Sequence, residues 1–309
     1  MFGVSLRTIR LRLAPLYRVI EDNVRPEILY ISPATALLVA LAAGPVLGVI
    51  GLSLTTFNLA RSPIPELTGF ENYVNDVIAS SLFHNALIVT AKFILVAVTL
   101  QFVLGFGIAL LLKGRVRSRK LFLPVIITPM FITPVAVGLI FRFILDSQLG
   151  ILSHILVSLG MSSVEWFTDP QMALLSIIIA DIWQFTPYMT LLLLAGLESI
   201  PEAPLEAART DGASRREVFF DMILPLMKPV IVAALVIRTI DASKVFAKVY
   251  TMTNGGPGIA TETLSYYIYE VGFRDFHLGI ASAQATTILL MILGFGLVRI
   301  LIRQRYTES

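Results

Sequence analysis

Apolar residues gather in six stretches, at about 28–57, 85–112, 121–145, 171–195, 229–252 and 278–302, each closed by polar residues, glycine or proline. A hydrocarbon core of roughly 30 Å takes about 20 apolar residues coiled as helix, and every stretch reaches that length. The pattern predicts an all-α, polytopic membrane protein whose six transmembrane helices occupy 28–302. Two polar intervals flank or divide them. In 1–27, Phe2, Leu6, Ile9, Leu13, Leu16 and Ile20 recur every three or four residues among five arginines. A basic helix lying on the membrane surface has this repeat, while Pro15 interrupts it and leaves a basic tail as the other reading. The arginines also leave no uninterrupted apolar run of the kind that marks a cleaved signal peptide. The second interval, 199–228, predicts a hairpin of two short helices, and 303–309 reads as a short tail.

With 56% hydrophobic and 15% charged residues, the 309-residue chain carries more apolar surface than a water-soluble core can bury. The absence of cysteine excludes disulfides, thiolate metal sites and cysteine nucleophiles. Of the 24 basic residues, five fall in 1–27, five in 113–120, four in 196–228 and three from Arg299 onward. The intervening loops carry Glu66, Glu71, Asp76, Asp146, Glu165 and Asp169. Basic loops favour the cytoplasmic side, so both termini and the hairpin are expected in the cytosol. The net charge of +3 is therefore a signal of topology among membrane lipids and argues for no nucleic-acid partner. Gly44 with Gly48, Gly105 with Gly107, and Ala281 with Ala285 mark places where helices could approach closely.

Within the hairpin, Pro204 suits a first helical turn, Leu205 to Asp211 continue as helix, and Gly212 supplies the left-handed residue that ends one. Ser214 followed by Glu217 predicts a capping box that starts a second helix bearing Val218, Phe219, Met222 and Ile223. Ala207 and Ala208 keep one side of this knob thin enough to enter a groove.

The spacing of Glu206, Ala207, Ala208, Gly212, Leu224 and Pro225 resembles the EAA loop of the membrane subunits of binding-protein-dependent ABC importers. Met222 stands where that pattern has isoleucine. The resemblance implies the type I importer permease fold in a bacterial cytoplasmic membrane, with a second homologous permease, two copies of a cytosolic ATPase and an extracytoplasmic solute-binding protein as partners. It also implies that Glu206 anchors the joint to the ATPase and that Gly212 sets its turn. ATP and magnesium would be held by that ATPase. This chain has no GxxxxGK[ST] phosphate loop, and no cofactor, metal site or catalytic residue is expected in it.

The segment from Arg238 to Phe273 resembles the corresponding part of carbohydrate permeases, particularly the maltose-type subunit with a Gly-Gly-Pro outer loop. Asn254, Gly255, Gly256 and Pro257 form that loop here, a tight turn with an implied role toward the binding protein or the substrate vestibule. A carbohydrate substrate, whether sugar, glycoside or polyol, follows from the resemblance, and the lysines of the fifth span leave an anionic derivative such as a sugar phosphate, sulfonate or acid open.

Charges within spans usually face a cavity or a partner. Arg238, Asp241, Lys244 and Lys248 recur at helical spacing, which predicts one shared face with Ser243 beside it. A carboxylate flanked by cations stays ionised and can accept from a sugar hydroxyl, and a salt bridge between Arg238 and Asp241 is the competing reading. Asp181, Gln184 and Tyr188 predict a second wall of amide, carboxylate and aromatic groups. Lys92 either lines the path or pairs with Asp181. Arg142 is expected to extend toward the membrane surface. Pro124, Pro129 and Pro134 predict a disrupted third helix. Two other classes fit the sequence less well: an ion-coupled transporter using Asp181 and Asp241, which leaves the hairpin unexplained, and an intramembrane aspartyl enzyme, whose usual glycine-containing surroundings are missing.

Overall fold

The computed structural model describes the backbone of residues 26–61, 64–114 and 119–307 and the side chains of 30–61, 64–114 and 122–294. The basic segment 1–25 lies outside the described residues.

Helix α1 (Pro26–Ser53) is followed by the short α2 (Glu71–Tyr73), which runs into a π-turn at Val74–Ile78. Next come α3 (Ser81–Lys113), α4 (Arg119–Ile127) and α5 (Pro134–Ile144), then α6 (Ile151–Ser158) and α7 (Pro170–Glu198). The hairpin contributes α8 (Glu202–Thr210) and α9 (Arg215–Glu217). It leads through a π-turn, Val218–Ile223, into α10 (Leu224–Ala242). The chain then forms α11 (Ala247–Met252), α12 (Leu264–Tyr269) with a π-turn at Glu270–Arg274, and α13 (Leu278–Thr307).

Local sequence explains where the central helices begin. Ser80 caps α3 by accepting from the Phe83 amide at 3.2 Å. Asp169 caps α7 by accepting from the Gln171 and Met172 amides, both at 2.9 Å, with Pro170 at the first helical position where its missing N–H costs nothing. Helices α3 and α7 pack along each other and α10 packs against both, forming the centre of the molecule. Gly105 sits at their contact, where an added Cβ would lie 3.0 Å from Met189 side-chain atoms. Gly107, Gly44 and Gly48 face open space instead, so among the described residues those expected close approaches are absent. Along Tyr30–Ser53 of α1 nearly every side chain is exposed; the helix leans chiefly on α13, and its outer flank suits lipid.

Three of the six apolar stretches depart from the simple expectation. Four helices among the described residues are long and apolar enough to cross a bilayer: Tyr30–Ser53, Ser81–Lys113, Pro170–Glu198 and Arg215–Ala242. The third stretch is broken, with Phe122–Phe131 and Pro134–Ile144 meeting at a 99° bend, and counts as a fifth span only if the bent pair is one crossing. Pro134 lacks an amide hydrogen and cannot continue the preceding helix, which is the physical reason for the break. The fifth stretch is not one helix: it ends at Ala242 and restarts at Ala247. In the sixth, the apolar helix with described side chains is Leu278–Gly294.

Candidate functional site

The hairpin meets its sequence expectation closely. Helix α8 ends with Asp211 as its cap, and Gly212 follows at φ +91°, a left-handed conformation that disfavours any side chain. Ser214 then closes a reciprocal capping box with Glu217. The Glu217 carboxylate accepts from the Ser214 amide at 2.6 Å, and the Ser214 hydroxyl from the Glu217 amide at 3.3 Å. Leu205 and Val218 are buried in an apolar cluster with Phe106, Ala109, Met189, Leu193 and Met227. Burying two such side chains stabilises the hairpin by roughly 3–6 kcal/mol, so it moves with α3, α7 and α10 rather than swinging freely.

Glu206 and Ala207 are exposed on the outside of this clamp, and Ala208 is half-buried beneath them. Leu224 is half-buried and Pro225 exposed in the first turn of α10, where proline is tolerated. Because α9 passes through the π-turn without interruption, Arg215–Ala242 is one continuous helix. This single rod carries α9 of the hairpin at one end and Arg238 and Asp241 near the other.

That rod ends in a buried ionic joint. Asp181 on α7 is 2% exposed, Arg238 on α10 1% and Lys248 on α11 2%. The Asp181 carboxylate accepts from Lys248 Nζ at 2.5 Å, from Gln101 Nε2 at 2.8 Å and from Arg238 Nη2. Arg238 also donates Nε to Gln101 Oε1 at 2.8 Å and Nη1 to Asp241 at 2.8 Å. Phe185 lies beneath both cations, with the Arg238 guanidinium 4.3 Å and Lys248 Nζ 4.6 Å from its ring centroid. Four helices, α3, α7, α10 and α11, converge on this one carboxylate.

The shared face expected for Arg238, Asp241, Lys244 and Lys248 is corrected by the break after Ala242. Lys248 belongs to a separate helix that folds back onto Asp181, while Asp241 and Lys244 remain exposed. The Arg238–Asp241 salt bridge, the competing reading of the sequence, is present. The break leaves carbonyls without helical partners, and hydroxyls from the distant α12 region meet them: Thr263 donates to Val245 O at 2.9 Å and Ser265 to Ser243 O at 3.4 Å. Ser243 itself donates to Ile240 O at 2.7 Å.

Gln184 also has a different place from the wall expected of it. Its Nε2 donates to Ile132 O at 2.6 Å, supplying a partner to the carbonyl exposed where the third stretch bends. Tyr188 is half-buried on α7. Lys92 is exposed in a groove with Asn85 and Gln171, away from Asp181, whose partners are those named above. Arg142 donates to Thr251 O at 3.1 Å and ties α5 to α11. A cavity of about 230 Å³ opens beside the joint, lined by Pro134, Phe185, Asp241, Lys244 and Phe246 among others.

The turn at 254–261 closes on itself. Asn254 at φ 52° and Gly255 at φ +82° reverse the chain, and the Thr261 hydroxyl donates to Gly256 O at 2.8 Å. Gly255 is buried so close to Tyr266 that a Cβ would approach its ring at 2.7 Å. Gly256 and Pro257 are half-buried and Asn254 exposed.

Residues 101–305 match the family described as the binding-protein-dependent transport system inner membrane component. The chain belongs to that family. It is 36% identical over 273 residues to the trehalose/maltose transport system permease protein MalF of Thermococcus litoralis, covering 87% of this chain and 90% of that one. It is 34% identical over 267 residues to the sulfoquinovosyl glycerol transport system permease protein SmoG of Agrobacterium fabrum, covering 85% of each. Its fold matches a chain in the crystal structure of a bacterial alginate ABC transporter in complex with alginate pentasaccharide-bound periplasmic protein. That match has a TM-score of 0.74, 24% identity, and covers 90% of this chain and 95% of the other. The family match begins at Gln101 and so takes in the whole ionic joint and the hairpin.

Gln101, Phe185 and Phe246 are the site residues that sequence reasoning missed. Gln101 had a signal, an amide set deep in an otherwise apolar helix. The two phenylalanines had none.

Proposed function

We propose that this chain is one permease subunit of an ATP-driven, binding-protein-dependent carbohydrate importer of a cytoplasmic membrane. It crosses the membrane six times with both termini in the cytosol, and forms half of the pathway with a second permease. Two copies of a separate ATPase bind ATP and magnesium. The hairpin of Glu206, Ala207, Ala208 and Gly212 docks on one of them. A solute-binding protein delivers substrate at the outer face near Asn254–Pro257.

The observation that carries this reading is the continuous helix from Arg215 to Ala242, which joins the exposed hairpin to the cavity beside Asp241. Closure of the ATPase pair moves Glu206 and Ala207, the rod transmits the motion, and the α10–α11 break beside the ionic joint is where outward- and inward-facing forms differ. Asp181, Arg238 and Lys248 hold the joint and leave Asp241 and Lys244 to face the passing solute, with Ser243 beside them bonded to Ile240 O. Arg238, Lys244 and Lys248 stand against Asp181 and Asp241, so the site carries one positive charge in excess; Asp241 can accept from one substrate hydroxyl, Lys244 can donate to another, and an anionic group on the sugar is accommodated. The carbohydrate class is supported by the trehalose/maltose relative.

The test is uptake of radiolabelled trehalose and maltose into proteoliposomes holding the assembled complex and binding protein. The reading expects accumulation that requires internal ATP and survives collapse of ion gradients. Accumulation driven by a sodium or proton gradient without the ATPase overturns it.

A further inference from the structure

Beyond the ionic joint, α11, α12 and the following π-turn bring five aromatic rings into a strip. Phe246 stacks on Tyr250 at 5.6 Å between centroids and meets Tyr269 edge-on at 5.1 Å. Tyr250 meets Tyr269 at 5.8 Å, and Tyr269 stacks on Phe273 at 5.8 Å. Tyr266 lies at the base, buried, with its hydroxyl donating to Glu270 at 2.9 Å and its ring against Gly255. The strip is therefore anchored from below, while Tyr250 is 45% and Phe273 66% exposed above.

Two features distinguish this strip from an ordinary packing face. It is continuous with the cavity beside Asp241, because Phe246 is both the inner member of the strip and a wall of that cavity. It also includes the exposed Tyr250 and the half-buried Tyr269, whose rings offer an apolar face and whose hydroxyls can bond at the rim. Among the described residues the Tyr250 and Tyr269 hydroxyls have no hydrogen-bond partner, unlike that of Tyr266. A pyranose ring has the matching surface, with axial C–H groups on its faces and hydroxyls around its edge. An aliphatic helix of a neighbouring subunit has only the first of these.

We infer that Tyr250, Tyr269 and Phe273 form a stacking track that receives pyranose rings at the outer side and hands them along Phe246 to the cavity beside Asp241 and Lys244. This rests on the carbohydrate-importer reading and adds to it a site outside the charged cavity. The track prefers ring-shaped sugars to open-chain polyols, since an acyclic chain presents no flat C–H face.

The test uses the assembled complex in nanodiscs, with saturation-transfer NMR to maltose, trehalose and sorbitol, alongside ATP-driven uptake of the same three solutes. Wild type is expected to saturate pyranose ring protons of at least one disaccharide and sorbitol far less. A variant carrying Tyr250→Leu and Tyr269→Leu keeps apolar bulk without aromatic faces. It is expected to lose that transfer and to raise KM about tenfold with little change in kcat. Tyr250→Phe with Tyr269→Phe is expected to retain stacking and most of the transfer. Equal transfer in wild type and the leucine variant overturns the track while leaving carbohydrate uptake intact. Equally poor transport by the leucine and phenylalanine variants assigns the effect to the tyrosine hydroxyls and not to the ring faces, and also overturns it. ATP-driven uptake of a non-carbohydrate, with no sugar bound or moved by wild type, overturns the reading beneath it and the track together.

Discussion

Replacing Asp181 by asparagine removes the carboxylate on which two buried cations converge. In the native joint Asp181 accepts from Lys248 at 2.5 Å, from Gln101 at 2.8 Å and from Arg238. After the change, Arg238 keeps Asp241, but the Asp241 side chain is 54% exposed and shares its charge with water. Lys248, 2% exposed, keeps no opposite charge at all among its described ion pairs. Removing one partner of a buried pair costs about 3–5 kcal/mol, a large part of the roughly 5–15 kcal/mol that holds a domain folded. Pairing the change with Lys248→Met takes away the stranded ammonium, and the double variant should return to within about 1 kcal/mol of wild type. Reversible unfolding in mixed micelles titrated with dodecyl sulfate, followed by circular dichroism, measures all four members of the cycle. A single-variant cost below about 1 kcal/mol, or two changes that simply add, would refute the argument that this joint is one coupled unit.

Other consequences follow from particular positions. Gly212→Ala places a Cβ at φ +91° and should destabilise the hairpin by about 1–2 kcal/mol, seen as faster amide exchange across 202–218 and weaker coupling of ATP hydrolysis to uptake. Gly138→Val meets Thr251 Oγ1, which would lie 1.9 Å from an added Cβ, and should push α11 and Lys248 from Asp181 at a cost of about 1–3 kcal/mol; unchanged stability would contradict this packing. Glu262, in the loop between α11 and α12, is pushed up to about 7 by burial first and by the neighbouring Glu270 second. A raised carboxyl pKa favours the folded loop while the group stays protonated, so this stabilisation is full below about 4.5 and is lost as pH rises through about 7. Protection factors in 253–270, which remove the intrinsic base-catalysed rise of amide exchange with pH, should fall across that window in wild type and stay flat in Glu262→Gln.

The hairpin was legible because its determinants are local. A capping box, a left-handed glycine and an apolar face are all written within twenty residues, and the same residues carry the family pattern. Asp181, Arg238 and Asp241 were legible as charges too deep in apolar sequence to be idle. The position of Lys248 was not, because no proline or glycine marks the end of α10 at Ala242. The carbonyls freed there are met by Thr263 and Ser265 some twenty residues later, and Lys248 is held by Asp181 on another helix. Periodicity therefore extended one helix through a break that only tertiary contacts create. The bend near Thr133 was foreshadowed by Pro124, Pro129 and Pro134, but the role of Gln184 in supplying the Ile132 carbonyl with a donor was not. The spacing of Gln184 with Asp181 pointed to a shared wall, and distance along a helix says nothing of which neighbour claims the amide.

The central claim is that this chain is moved by nucleotide turnover in another protein, through the hairpin, and has no energy source of its own. Its most direct test is a complex reconstituted with a Glu206→Lys, Gly212→Pro chain, shown by co-purification to keep both ATPase copies and the second permease. ATP hydrolysis and sugar accumulation are then measured in the same proteoliposomes. The account predicts that hydrolysis continues at a measurable rate while accumulation falls to the level seen without ATP. Accumulation equal to that of wild type would contradict it.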